Sequence, residues 1–269
     1  MSTIEQSELA VGTAVASGRR RRRPFGTGDW WRHVVGIIAV LWALLPVVYV
    51  VSAAFNSVPS LSSATLIPDS ITLDNFREIL STKRDDPDAP TANYVRWYAN
   101  SIIIPGAAAL FSVFLGALAA YAFSRFRFKG RRMGMLALLL IQMFPQFLAL
   151  VAIYLIMLHA GNVFPFLGLN TKTGLILVYL GGAMGVNAWL MKGFFDTIPA
   201  ELDESARVDG ATPTQVFWGV ILPLAAPVLA VVGLISFIFT LNEFVIASAL
   251  LQTTDNYTLI VGLQGFIDE

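Results

Sequence analysis

Cysteine is absent from the 269 residues and histidine occurs twice, at His33 and His159. The first fact excludes disulfides, thiolate metal sites and cysteine nucleophiles. The second leaves two imidazoles far apart in the chain, with no HExxH spacing to bind zinc. Charge is also scarce: Asp, Glu, Lys and Arg make up 13% of the chain, about half their share in a soluble domain, which excludes an ordinary soluble globule. The 18 basic and 18 acidic residues cancel to a net charge of +0, so bulk electrostatics give no sign of a nucleic-acid partner. There is no Gly-Lys dipeptide and therefore no GxxxxGK[ST] phosphate cradle.

Apolar length is what the chain does have. Hydrophobic residues make up 56% and the mean hydropathy is +0.67, which places the chain among integral membrane proteins. Uncharged runs at residues 34–55, 101–123, 133–158 and 174–191, and a fifth at 224–251 broken only by Glu243, are each long enough or nearly so to cross the bilayer as a helix. Barrel strands would instead alternate over about ten residues. The sequence thus predicts an all-α polytopic membrane protein with a basic N-terminal tail, residues 1–30, and one membrane domain, residues 31–269. Its first run is too long for a cleaved signal peptide and reads as an uncleaved anchor.

Lys and Arg are unevenly placed. Thirteen fall in the tail and in the segments after the second and fourth runs, including Arg19 to Arg23, Arg125 to Arg132, Lys192 and Arg207, against five in the alternate segments. The positive-inside bias puts the N-terminus in the cytoplasm and residues 192–223 in an inner loop, with Gln252 to Glu269 emerging outside.

Within the runs, Ala108, Ser112, Gly116 and Ala120 recur at every fourth residue and form a small-residue packing stripe. Gly181 and Gly185 repeat that spacing, which fits either close packing or local flexibility. Pro46, Pro105 and Pro145 predict kinks. Trp30, Trp31, Trp97 and Tyr98 read as interfacial anchors. Glu243, beside Asn242, is the one ionisable group deep in a run, at a cost of about 2.5–3.5 kcal/mol on insertion scales. It faces a water-filled pathway, a neighbouring helix or the outer interface.

The inner loop carries the most specific signal. Pro199 opens a short helix with Glu201, Asp203 and Glu204 near its start, and Gly210 stands where a left-handed cap would close it. Thr212-Pro213-Thr214-Gln215 has the form of a capping box, and Phe217, Val220, Ile221 and Leu224 then follow with helical spacing, with Pro223 marking a turn into the membrane. A loop of about thirty residues made of capped, amphipathic helices exceeds what reconnection needs. It fits a partner-docking surface or a helix pair lying on its own bundle.

Glu204-Ser205-Ala206, Gly210 and Ile221-Leu222-Pro223 resemble the EAA motif of binding-protein-dependent ABC importer permeases. Asp209-Gly-Ala-Thr-Pro213, Leu222 to Pro227, Pro68 to Phe76, Ala119 to Arg131, Met143-Phe-Pro145 and Asn242-Glu-Phe244 extend the resemblance to the MalG-type subunits of maltose, trehalose and related sugar importers, over nearly everything after residue 30. Ser205 replaces the commoner first Ala, a small-for-small change. Members usually carry a sixth span beyond the segment that ends here at Glu269, so five spans of the MetI-like fold are expected.

The resemblance implies a non-catalytic permease subunit of the bacterial plasma membrane. In it Glu204, Ser205, Ala206, Asp209, Gly210, Ala211 and Pro213 would seat a coupling helix in a cytoplasmic ATP-binding subunit. It also implies a second homologous permease, two ATP-binding subunits that hold ATP and Mg, and an extracytoplasmic sugar-binding protein, with no cofactor in this chain. Asn242 and Glu243 are the candidate pathway residues. The competing reading, an ion-coupled secondary transporter, would call for internal repeats and midplane ionisable groups, of which the sequence offers Glu243 alone.

Overall fold

The computed structural model describes residues 30–57, 70–80 and 93–266. The basic tail with Arg19 to Arg23, residues 58–69, residues 81–92 with Lys83 and Arg84, and residues 267–269 lie outside the described residues. The chain divides into two units, Met1–Asn75 and Phe76–Glu269.

In the first unit α1, Trp30–Phe55, is apolar on every side, and Ile37, Leu41, Trp42 and Val48 all stand exposed. A helix of that kind belongs in lipid or against other protein. Its last turn needs partners for its carbonyls, and the segment that follows supplies them. The Asn75 amide donates to the carbonyls of Ala54 at 3.0 Å and Asn56 at 2.9 Å, beside an antiparallel bridge between Asn56 and Ile71. The segment after α1 therefore contains order of its own, including α2, Asp74–Leu80, whose first amide donates to the Thr72 hydroxyl at 3.1 Å.

The second unit is a helical bundle of α3, Tyr94–Arg125; α4, Arg131–Gln142; α5, Leu150–Val163; α6, Lys172–Phe195; α7, Ala200–Val208; α8, Pro213–Leu241; α9, Val245–Leu250; and α10, Leu259–Gly262. Its centre is α3 against α6, with α8 packed on both. The small stripe of α3 is the reason: Ala108, Ser112, Gly116 and Ala120 are all buried. A Cβ added at Gly116 would lie 2.9 Å from Met191 Cε and 3.2 Å from the Ala188 backbone nitrogen. Without a strong hydrophobic drive between helices in lipid, such close backbone approach is what holds a bundle. Apolar clusters fill both ends of this core, one around Tyr121, Phe195, Phe217 and Ile221, the other around Ile104, Leu175, Ile246 and Leu250.

The five runs are present, but two of them are not single helices. The third breaks into α4 and α5, which meet at 83° across a 3-10 turn at Gln146–Ala149. Pro145 lacks an N–H and its ring opposes the carbonyl four residues earlier, so the helix stops before it. Pro46 and Pro105, by contrast, sit inside continuous helices. The fifth run ends at Leu241 and resumes as α9, because the Asn242 amide caps the Ile238 carbonyl at 2.7 Å and the Glu243 carboxylate captures amides ahead. Side-chain groups thus replace ladder partners at the break.

Nor does Pro223 mark a turn. Helix α8 runs from Pro213 straight into the fifth span, and a π turn at Phe217–Ile221 absorbs the proline, with the Leu222 N–H reaching back to the Phe217 carbonyl. In that register the buried stripe is Phe217, Ile221, Ala225 and Val232, and Leu224 is exposed.

Candidate functional site

The elbow between α6 and α8 is built from its caps. Helix α7 starts after Pro199 with Glu201 and Asp203 in its first turn, and ends in Asp209 and Gly210. Gly210 adopts φ +86, the left-handed region that a side chain disfavours. Its N–H donates to the Arg207 carbonyl at 3.0 Å and the Ala211 N–H to the Ala206 carbonyl at 2.9 Å, the paired bonds of a Schellman cap. Thr212 and Gln215 then close a reciprocal capping box at the start of α8. Two helix ends are satisfied within seven residues, so the elbow is stiff.

The elbow is also clamped to the bundle. Arg125, at the end of α3, pairs with Asp203 at 2.5 Å, and its Nη2 donates to the Ile198 carbonyl at 2.9 Å. The Tyr121 hydroxyl donates to the Pro213 carbonyl at 3.3 Å, and the Ser124 hydroxyl to Asp196 at 2.7 Å. Burial pushes the Asp196 carboxyl up, but hydrogen bonds from Lys192 and Ser124, with the charges of Lys192 and Arg131, hold it below the ordinary carboxylate range overall.

Of the residues picked out in the loop, Ala206 and Ala211 turn inward against the core, while Glu204, Ser205, Asp209, Gly210 and Pro213 are exposed. Val208 stands beside them with 86% of its surface exposed, an apolar side chain on a helix rich in charged residues. Sequence reasoning missed Val208, and it missed the pairing of Arg125 with Asp203, whose charges served only the topology count and the helix dipole. Val208 could have been found from its place on the polar side of an amphipathic nine-residue helix.

Midway along the bundle three helices share a buried polar layer. The Asn187 amide on α6 donates to the Ser112 hydroxyl on α3 at 3.0 Å and accepts from the Ser236 hydroxyl on α8 at 3.0 Å. Beside it lies a cavity of about 610 Å³ whose lining includes Gln142, Phe144, Asn187, Phe239, Thr240 and Glu243. Glu243 accepts from the Tyr179 hydroxyl at 2.7 Å and from the backbone amides of Ile246 at 2.8 Å and Ala247 at 3.1 Å. Three donors, two of them at the start of α9, compensate a charge that lipid alone would penalise. Asn242 is exposed and turns its amide away to Ile238. The two adjacent residues are therefore not equivalent. Gly185 packs under Gln142, whose amide donates to the Gly182 carbonyl at 2.8 Å, whereas a Cβ at Gly181 would meet nothing within 4 Å. Packing accounts for Gly185 and not for Gly181.

At the other end, residues 252–262 lie folded back on α3. Trp97 is buried there, donating from its indole to the Thr254 carbonyl at 2.6 Å under Gly262, and is not an interfacial anchor. Asn100 donates to the carbonyls of Asp255 and Tyr257, and Arg96 pairs with Asp255. Asn170, at φ 58, accepts the amides of Gln252 at 2.9 Å and Thr253 at 3.0 Å through its side-chain oxygen.

The bundle thus combines several apolar spans, an open cavity with a few polar groups in a largely apolar wall, and a capped, exposed elbow. Residues 112–268 match the family described as the binding-protein-dependent transport system inner membrane component, and the chain belongs to that family. It is 39% identical over 242 residues to the maltose/maltodextrin transport system permease protein MalG of Vibrio parahaemolyticus, covering 88% of this chain and 81% of that relative. It is 40% identical over 224 residues to the galactooligosaccharides transport system permease protein GanQ of Bacillus subtilis, covering 83% and 75% respectively. Among solved structures, a bacterial ABC transporter involved in the import of the acidic polysaccharide alginate matches with a TM-score of 0.73 and 26% identity, over 91% of this chain and 82% of that one.

Proposed function

We propose that the chain is the permease subunit of an ATP-driven importer of maltose, trehalose or another oligosaccharide. In this reading the elbow end is cytoplasmic, and the chain pairs with a second homologous permease. Two ATP-binding subunits hold ATP and Mg, one of them gripping α7, and an extracytoplasmic sugar-binding protein delivers solute at the opposite end. The observation that carries the proposal is the double character of α7. Its outer face, Glu204, Ser205, Val208 and Asp209, is open to a partner, while Asp203 and Ala206 tie its inner face to α3 and the core. A push on such a helix is transmitted as rigid-body motion to α3, α6 and α8 together.

The cavity beside Glu243 is assigned to the translocation pathway; Asn242, its neighbour in the chain, lies outside the cavity lining. Amide, hydroxyl and carboxylate groups facing aromatic side chains suit a hydroxyl-rich solute. The same Glu243 is a poor fit to an ion-coupled carrier, because its carboxylate is committed to capping α9. The test is co-purification with the ATP-binding subunit and transport in vesicles. Gly210→Phe should leave membrane insertion intact while ATP hydrolysis is no longer matched by uptake. Unchanged uptake by that variant would overturn the docking role.

A further inference from the structure

A second cavity, of about 640 Å³, lies between the first turns of α4 and the last turns of α6. Its wall combines Arg131, Arg132 and Lys192 with Leu136, Leu139 and Trp189. Asp196 lies beside two of these cations, Lys192 and Arg131. It pairs with Lys192 at 2.5 Å, while Arg131 donates to the Ser124 carbonyl at 3.3 Å. Arg132 is exposed and makes no ion pair among the described residues, so positive charge is in excess.

Two features narrow the ligand. Gly130, at φ +88, precedes α4 without a side chain to cap its first turn; the Arg131 amide reaches the Phe128 carbonyl at 3.3 Å, which leaves the amides of Arg132 and Met133 to a ligand or water. Above the basic floor the wall is apolar, and the half-exposed Trp189 indole marks the depth at which Trp sits in the interface. A free phosphate would use the floor alone. An amphipathic anion uses both parts, and basic pockets between spans at a membrane surface suit acidic headgroups.

We propose that this cavity binds one anionic phospholipid, its phosphate between Arg131 and Arg132 and an acyl chain along Leu136 and Leu139. The site would fix the angle of α4 against α6, and with it the bend at Pro145. It does not depend on the transported solute or on which side of the membrane the elbow faces.

The experiment is native mass spectrometry of the full chain, delipidated in detergent and titrated with phosphatidylglycerol, phosphatidylcholine or inorganic phosphate. The expected result is one retained phosphatidylglycerol per chain at concentrations where phosphatidylcholine leaves none, with about tenfold weaker retention in the R131Q/R132Q double variant. The R127Q/K129Q variant removes the same charge just outside the cavity and should retain lipid as the parent does. Equal losses in both double variants would reduce the effect to surface charge and overturn the site. Inorganic phosphate competing fully for the position would overturn the lipid assignment. Should R131Q/R132Q fail to fold, Leu136→Trp keeps every cation and fills the acyl wall. It should weaken retention, and unchanged retention would also overturn the proposal.

Discussion

The carboxylate of Asp203 on α7 and the guanidinium of Arg125 at the end of α3 stand 2.5 Å apart, with 4% and 9% of their side chains exposed. The pair joins the elbow to a helix that runs the length of the bundle. Because both charges are buried, removing one strands the other, at a cost of about 3–5 kcal/mol. Asp203→Asn and Arg125→Ala should each lower the unfolding midpoint of the purified chain in detergent, and the swapped pair D203R/R125D should recover part of the loss. An Asp203→Asn variant as stable as the parent would show that the pair does not clamp the elbow.

The Gly116 contact predicts an asymmetry between glycines. Gly116→Ala forces α3 away from Met191 and the Ala188 backbone, and overpacking of this kind costs about 1–3 kcal/mol. Gly181→Ala meets nothing within 4 Å and removes only glycine's entropic penalty, so it should be neutral or slightly stabilising. Thermal unfolding of the two variants side by side reads the difference.

Glu243 should behave as a cap. Glu243→Gln retains an acceptor for the amides of Ile246 and Ala247 but loses the charge, whereas Glu243→Leu leaves buried donors unmatched, which costs about 1–3 kcal/mol per group. The predicted order of stability is parent, then Gln, then Leu, with Tyr179→Phe milder than Leu. Hydrogen exchange at the amides of residues 246 and 247 should rise in the same order.

Asp196 predicts an acid-side effect. Its carboxyl is held below the ordinary range in the folded chain, so its contribution is present above about pH 4 and is lost as pH falls through the lower folded value. Asp196→Asn should therefore flatten the decline of the unfolding midpoint below about pH 4 and leave no difference in slope at neutral pH. An identical acid slope in parent and variant would count against the Lys192 and Ser124 contacts as its cause.

Short-range signals were the most legible ones. Gly210, Thr212 and Gln215 announce their caps because each cap needs a particular residue within three or four positions of another. The stripe from Ala108 to Ala120 likewise declares a close-packed face. What stayed hidden depends on distant partners. Nothing near Arg125 names Asp203 as its mate, and nothing near Asn187 names Ser112 and Ser236. Trp97 read as an anchor because burial under Gly262 links positions far apart in the chain. Pro145 announced the bend after Gln142 but not its size of 83°, and Glu243 stood out in the fifth run by its charge, while hydropathy alone could not show that it caps a new helix after Leu241.

The proposed docking of α7 can be tested directly, since a chain without cysteine accepts a single thiol as a unique probe. Ser205→Cys, co-expressed with the ATP-binding subunits and treated with a short bifunctional thiol-amine reagent, should yield a cross-link to an ATP-binding subunit, while Gln252→Cys at the opposite end should not. A Ser205 thiol labelled from outside intact cells by a membrane-impermeant maleimide, with no cross-link to an ATP-binding subunit, would contradict the account.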